Sequence, residues 1–199
     1  LIWSISWIVI KDQIGFAVPA TWSVAMRFFT GGAIMLGYAW LKNMPLKIKP
    51  EDWWLVIGMA VMMFVGNFNF VYNAEKYIAS GICAVIFALL FIPNAVLAQL
   101  FFNQRSNRRF WLGSMIALLG LAILFWGEFR ANPAGVKELL LGLGLTIGGV
   151  LCASTANVMQ LSNSAGRYPM PALLGFAMLI GGAINALIAG FHFGAPDLP

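Results

Sequence analysis

Long apolar stretches alternate with short polar breaks along almost the whole chain. The apolar runs fall at about 1–10, 20–41, 53–73, 79–102, 110–127, 139–161 and 171–191, bounded by Pro, Gly or charged residues. At about 1.5 Å of rise per residue, each run from 20–41 onward crosses a hydrocarbon layer of roughly 30 Å, with allowance for tilt. The breaks are short, so consecutive runs form helical hairpins and no stretch is left for a soluble domain. The pattern predicts an all-α integral membrane bundle with about seven transmembrane helices present. The opening "LIWSISWIVI" is already apolar and the closing "FGAPDLP" reads as a loop, so the expectation is a chain cut at both ends, with an incomplete first helix.

Composition agrees. The chain of 199 residues is 61% hydrophobic and only 10% charged, with a mean hydropathy of +0.85. A soluble domain carries about a quarter charged residues. The net charge of +5 does not form a basic face, which argues against a nucleic-acid partner. It sits in the breaks instead. Lys42, Lys47, Lys49, Arg105, Arg108, Arg109 and Arg167 follow the second, fourth and sixth runs, against Lys11, Lys76, Arg130 and Lys137 in the alternate breaks. Basic residues in short loops mark the cytoplasmic side, so the loops after runs two, four and six are expected there. Cys83 and Cys152 each lie inside an apolar run without a second ligand nearby and read as structural thiols. No metal or cofactor signature is present.

The tetrapeptide "GGAI" occurs at 31–34 and again at 181–184. The same shift of 150 residues superposes Ser4 on Ser154 and Pro19 on Pro169. Each copy reads as a helix, a turn with proline, and a second helix carrying a Gly-Gly pair. Five helices separate the copies, so they lie in opposite orientations across the membrane. Inverted repeats of this kind close around a central site in transporters. The expectation is two inverted five-helix repeats making ten helices. Residues 1–128 would then hold the first repeat and 139–199 the start of the second.

The segment "AEKYIASGICAVIFALLFIPNAVLAQLFFNQRSNRRFWLGSMIALLGLAILFWGE" (74–128) resembles the third-to-fifth-helix signature of EamA-type proteins in the drug/metabolite transporter superfamily. Tyr77 stands in the turn, Ser80 and Gly81 open a helix, and Pro93 lies within it. Arg105 follows in the basic turn, then Gly113 and Gly120 in the next helix. "PATWSVAMRFFTGGAI" is similar to the family's second helix, with Pro19 at its start and Arg27 followed by Phe28. The family's Trp-Gly-Ser is met by "IWS", without the Gly. Phe102, Asn103 and Gln104 stand where the family commonly reads Leu-Gly-Glu, so a role for that carboxylate does not carry over. The resemblance implies an inner-membrane, multi-pass, ten-helix exporter of small metabolites such as amino acids, with the lipid bilayer as surroundings and no cofactor. Substrate would sit in a central cavity between the halves, reached by alternating access.

Candidate cavity residues are few. Asn69, Tyr72 and Asn73 share one helix face and must look inward, either to bond a neighbouring helix or to line the cavity. Pro93 removes a donor from the turn at Leu89 and kinks its helix, with Asn94 as a candidate donor to the freed carbonyl. Ser154, Asn157 and Gln160 form a stripe whose counterpart in the first copy holds Ser4 and Trp7, with Trp3 one turn earlier. Such a lining suits an amphipathic solute, although Trp3 and Trp7 also suit an aromatic belt. Arg27 lies inside the second run, where snorkelling and a gating role facing an aqueous cavity both remain open. Glu75 and Lys76 read as a solvated outer turn, leaving no proton relay. A lipid-linked-sugar or polyamine carrier of the same superfamily is the nearest alternative. A seven-helix receptor lacks its lysine, and an intramembrane enzyme lacks any paired catalytic groups.

Overall fold

The computed structural model describes residues 20–131 and 135–194. Among them six helices are long and apolar enough to cross a membrane. They are α1 (Ala20–Leu41), α2 (Pro50–Ala74), α3 (Ser80–Phe102), α4 (Arg108–Ala131), α5 (Val136–Met159) and α6 (Met170–Phe193). They correspond to the second to seventh apolar runs. The first run, and with it Trp3, Ser4 and Trp7, lies outside the described residues, as does Pro19. Lys42 to Lys49, Arg105 to Arg109 and Arg167 gather at one end of the bundle, called here the basic end.

The neighbours do not follow chain order. α6 packs along α1 more extensively than any other described pair, and α6 also touches α2. In turn α2 packs on α5, and α5 on α3. The row therefore reads α1, α6, α2, α5, α3, interleaving helices from the two ends of the sequence. One core joins Val24 and Phe28 of α1, Leu55, Met59 and Phe64 of α2, and Leu173 and Ala177 of α6. A second joins Cys83 and Ile86 of α3, Phe125 of α4, and Leu139 and Val150 of α5. α4 is the least covered, with Leu112, Ile116, Leu119 and Ile123 all exposed, as befits an acyl-chain-facing helix.

At the crossing of α1 and α6, each "GGAI" copy packs a glycine on the backbone of the opposite helix. A Cβ on Gly32 would lie 2.9 Å from the Gly175 carbonyl and from the Leu179 side chain. A Cβ on Gly182 would lie 3.2 Å from the Ala25 carbonyl and 3.4 Å from the Phe29 ring. Adding 150 to 32, 25 and 29 gives 182, 175 and 179, so the two contact sets are reciprocal. Only glycine permits backbones this close, and close approach is what drives helix association in lipid.

Two helices are irregular. In α2, α-helical Trp53–Met59 passes into a π-helical segment, Ala60–Asn67, before α-helical Phe68–Ala74. The wider turns displace backbone carbonyls, and side-chain amides meet two of them. Asn185 Nδ2 donates to the Phe64 carbonyl at 2.9 Å, and Asn69 Nδ2 to that of Val65 at 2.8 Å. α3 breaks at Leu89–Leu90 between Ser80–Ala88 and Phe91–Phe102, the break that Pro93 demands. The Leu89 carbonyl is not left for Asn94: a tighter turn lets the Ile92 N–H reach it at 2.9 Å.

Candidate functional site

Three polar layers cross the bundle. The middle one is built by α2 and α6. Asn69 Nδ2 donates to Asn185 Oδ1 at 2.7 Å, and Asn185 Nδ2 donates in turn to Phe64 O and Gly181 O. Asn185 is wholly buried, and no polar signal flanks it in "GGAINALIAG", so sequence reading passed it over. Asn73 Nδ2 bonds the Asn69 carbonyl at 2.8 Å and Asn73 Oδ1 accepts from Lys76 Nζ at 2.8 Å. Asn69 and Asn73 thus follow one another along a single hydrogen-bonded row.

Above it, away from the basic end, Tyr72 is buried and lies within interaction range of the Arg27 guanidinium and the Glu75 carboxylate. Arg27 also sits 5.9 Å from the Phe68 ring centroid, within cation–π range. Lys76 is exposed, as expected for an outer turn, but both Glu75 carboxylate oxygens are shielded from solvent. A one-residue step around the helix separates the two fates: position 75 is shielded and position 76 exposed. The expectation of a solvated Glu75 is corrected accordingly, and α2 carries an acid out of water at this end.

At the basic end, Asn94 of α3 and Asn157 of α5 come together in a cavity of about 360 Å³. Ala95, Ala98, Val158 and Leu161 form its apolar wall, and Gln104, Arg105 and Ser106 close it. Asn103, in the left-handed region at φ +54°, caps α3, and the three residues after it line the cavity. Asn94 Oδ1 is buried with no hydrogen-bond donor among the described residues. The rest of the α5 stripe diverges. Ser154 is fully buried, and Gln160 Nε2 bonds the Ala156 carbonyl of its own helix at 3.2 Å. Beside the cavity, beyond Val158, Trp54, Leu97, Phe101, Phe102 and Met159 line an apolar groove of about 240 Å³.

The basic end also carries a tie that sequence reading missed. Asp52, only 2% exposed, accepts from the Tyr168 hydroxyl at 2.6 Å and from Arg167 Nη1 at 3.2 Å. The same hydroxyl accepts the Lys49 N–H at 3.2 Å. The hydrogen bond to Asp52 pushes the Tyr168 phenol up from its ordinary value. This network joins the start of α2 to the turn before α6. An acid in the first turn of a helix after proline reads as ordinary dipole pairing, which is why "PED" gave no signal. Among the described residues no group of His, Cys, Asp and Glu is placed to hold a metal ion.

Comparison with known proteins bears on this arrangement. The model of the EamA-like transporter family matches residues 1–126. Protein PagO of Salmonella typhimurium is 24% identical over 132 residues, covering 66% of this chain and 43% of that protein. Uncharacterized transporter YdfC of Bacillus subtilis is 29% identical over 121 residues, covering 58% and 38% respectively. The chain thus spans less than half the length of these relatives. No solved structure matches.

Proposed function

The chain belongs to the EamA-like transporter family of the drug/metabolite transporter superfamily, and from that premise we propose that the protein exports or exchanges small metabolites such as amino acids. It is a multi-pass membrane protein, and family membership points to transport rather than catalysis. On the proposed reading it lies in the inner membrane with its basic end in the cytoplasm, and two inverted repeats give alternating access to a central path. The reciprocal packing of Gly32 and Gly182 carries that reading, because contacts related by a 150-residue shift are what a two-fold axis in the membrane plane produces. The row from Glu75 and Tyr72 through Asn69 and Asn73 supports a polar path on the far side, and the cavity at Asn94 and Asn157 supports its cytoplasmic mouth. On this reading Arg27 takes the gating role, one of the two left open for it, and the kink at Pro93 serves a moving helix.

The second reading, a carrier of lipid-linked sugars, draws on the apolar groove beside that cavity, which would take an acyl chain. A polyamine carrier finds no carboxylate among the cavity's lining residues. The test is exchange flux of amino acids into liposomes holding the reconstituted protein. Saturable flux that falls in Asn94→Ala and Asn157→Ala upholds the proposal. Flux of a lipid-linked sugar without any amino-acid flux overturns it.

A further inference from the structure

We propose that the π-helical segment of α2, Ala60–Asn67, is a conformational switch. By regaining α-helical turns it rotates the inner part of the helix, Trp53–Met59, against the outer part, Phe68–Ala74. The buried Asn185 amide is thereby coupled to the Asp52 tie at the basic end. This deepens the transport reading and rests on it.

The segment is held by a side-chain donor from another helix. In an α-helix the Phe68 N–H would bond the Phe64 carbonyl four residues back. Here it bonds the Val65 carbonyl, and Asn185 Nδ2 of α6 supplies Phe64 at 2.9 Å. Conversion to α turns would return the Phe68 N–H to Phe64 and release the Asn185 amide, one hydrogen bond replacing another. Such an exchange leaves two arrangements close in energy. Short π segments inside α-helices are frequent at functional sites.

The π arrangement carries costs of its own. At its end Asn67 is buried, its Oδ1 has no donor among the described residues, and its Nδ2 donates to Met63 Sδ at 3.9 Å. On α5, which packs on this segment, the Ser154 hydroxyl is likewise buried without a partner among the described residues. A Cβ on Gly66 would lie 3.2 Å from the Val61 carbonyl, a contact five residues back that wide turns create. Unmet buried groups raise the energy of a state, so this one depends on the bond from Asn185.

The flanks decide which part turns. The outer part is pinned to α5, because a Cβ on Gly149 would lie 3.4 Å from that of Phe70, and Ile78 beyond it seats on Gly142. The inner part follows directly on Asp52, which Tyr168 and Arg167 anchor. One α-helical residue step is about 100°. Conversion therefore swings Asp52 off both partners and opens the basic end.

The experiment removes one residue. A π segment shortened by one residue becomes α-helical while both flanks keep their rotation. Deletion of Val61, an exposed position, therefore fixes the described arrangement. The reporter is Ala165→Cys, buried in the turn that carries Arg167 and Tyr168, labelled by a water-soluble maleimide in nanodiscs in protein with Cys152→Ala. Asn185→Leu is expected to raise the labelling rate between about threefold and twentyfold, the span of one intramembrane hydrogen bond. Gly66→Ala, whose methyl group meets the Val61 carbonyl in the π state, is expected to raise it too. Deletion of Val61 is expected to lower the rate below the parent's and to cancel the effect of Asn185→Leu. A disulfide between Phe70→Cys and Gly149→Cys, whose Cβ separation is close to the usual span of about 3.5–4.5 Å, is expected to form in every variant. An Asn185→Leu effect that survives the deletion overturns the proposal, and so does loss of that disulfide, which marks general loosening. Should the deletion variant not fold, failure of Asn185→Leu or of Gly66→Ala to speed labelling overturns it. Leucine exchange is measured separately in liposomes. The expected labelling pattern without flux upholds the switch and refutes the transport reading, whereas flux undiminished by the deletion refutes the switch as a step of transport.

Discussion

Replacing Asn185 with Ala should loosen the bundle at its centre. The side chain makes three hydrogen bonds: from Asn69 Nδ2, to Phe64 O, and to Gly181 O. Two of them cross between α6 and α2. Interhelical hydrogen bonds in membranes average about 0.6 kcal/mol and reach about 1.7 kcal/mol. Two such bonds therefore set a floor near 1 kcal/mol. Leaving the Phe64 carbonyl without its side-chain donor raises the cost towards the 1–3 kcal/mol typical of an unsatisfied buried group. The expected loss is about 1–3 kcal/mol, smaller for Asn69→Ala, which keeps Asn185 bonded to Phe64 and Gly181. The assay is denaturant unfolding of the detergent-solubilised protein across the double-mutant cycle of Asn69→Ala and Asn185→Ala. The coupling should fall near 0.6 kcal/mol and not above about 1.7 kcal/mol. Costs that add to within about 0.3 kcal/mol refute the reasoning, since independent sites add in that way.

The crossing of α1 and α6 predicts an order for glycine substitutions: Gly32→Ala costs about 1–3 kcal/mol by overpacking, Gly182→Ala less, and Gly37→Ala, open on all sides, nothing beyond its neutral-to-favourable helix propensity. Thermal unfolding in detergent checks the order, and equal effects at Gly32 and Gly37 would count against the close crossing. Asp52→Asn is expected to weaken the tie to Arg167 and raise accessibility of a reporter cysteine placed at the buried Ala165 to a water-soluble maleimide; unchanged labelling would show that the tie does not hold this end shut. Tyr168, whose neutral form is favoured by Asp52, should ionise above its ordinary value of 10.0. Its contribution to stability is therefore present below pH 10 and lost as pH rises through the higher folded value. A phenolate absorbance titration checks this, because Tyr168→Phe should remove a late-titrating step.

Much of the bundle was legible because the membrane enforces a coarse code. Six of the seven apolar runs match helices to within a few residues, since a span must be about this long and this apolar. What the code does not carry is the order of neighbours. Short loops suggest that consecutive helices pack together, yet α6 lies against both α1 and α2, with Gly32 seated on the Gly175 backbone and Gly182 on the Ala25 backbone. The polar sites were legible in part. Asn94 and Asn157 stood out by type and meet in one cavity, though nothing in a single sequence pairs α3 with α5. Asn69 and Asn73 stood out equally and are found in a row that bonds to itself and to α6. Asn185 and Asp52 were passed over, and Glu75 read as solvated, for a common reason. An isolated polar residue in a glycine-rich run, or an acid at a helix end, is ordinary by sequence. Only the neighbour that buries it gives it meaning.

The interleaved order limits how the proposed exchange of states can work. On the two-repeat reading, α6 packed on both α1 and α2 would keep the described helices from parting as two separate blocks. Movement has to take place at the crossings. Side chains would interlock and resist sliding, but at Gly32 and Gly182 backbone faces backbone, so the α1–α6 crossing is the natural pivot. The polar ties are disposed about it accordingly. Asp52 with Tyr168 and Arg167 closes α2 to the α6 turn at the basic end, while Glu75, Tyr72 and Arg27 group α2 with α1 at the other. On the transport reading, tilting α6 about the glycine crossing strains the first tie without requiring the second to break. The Asn69–Asn185 bond sits about one helical turn from Gly182 along α6. On that reading the energetic burden of opening falls on Asp52, which Tyr168 and Arg167 hold almost wholly out of solvent.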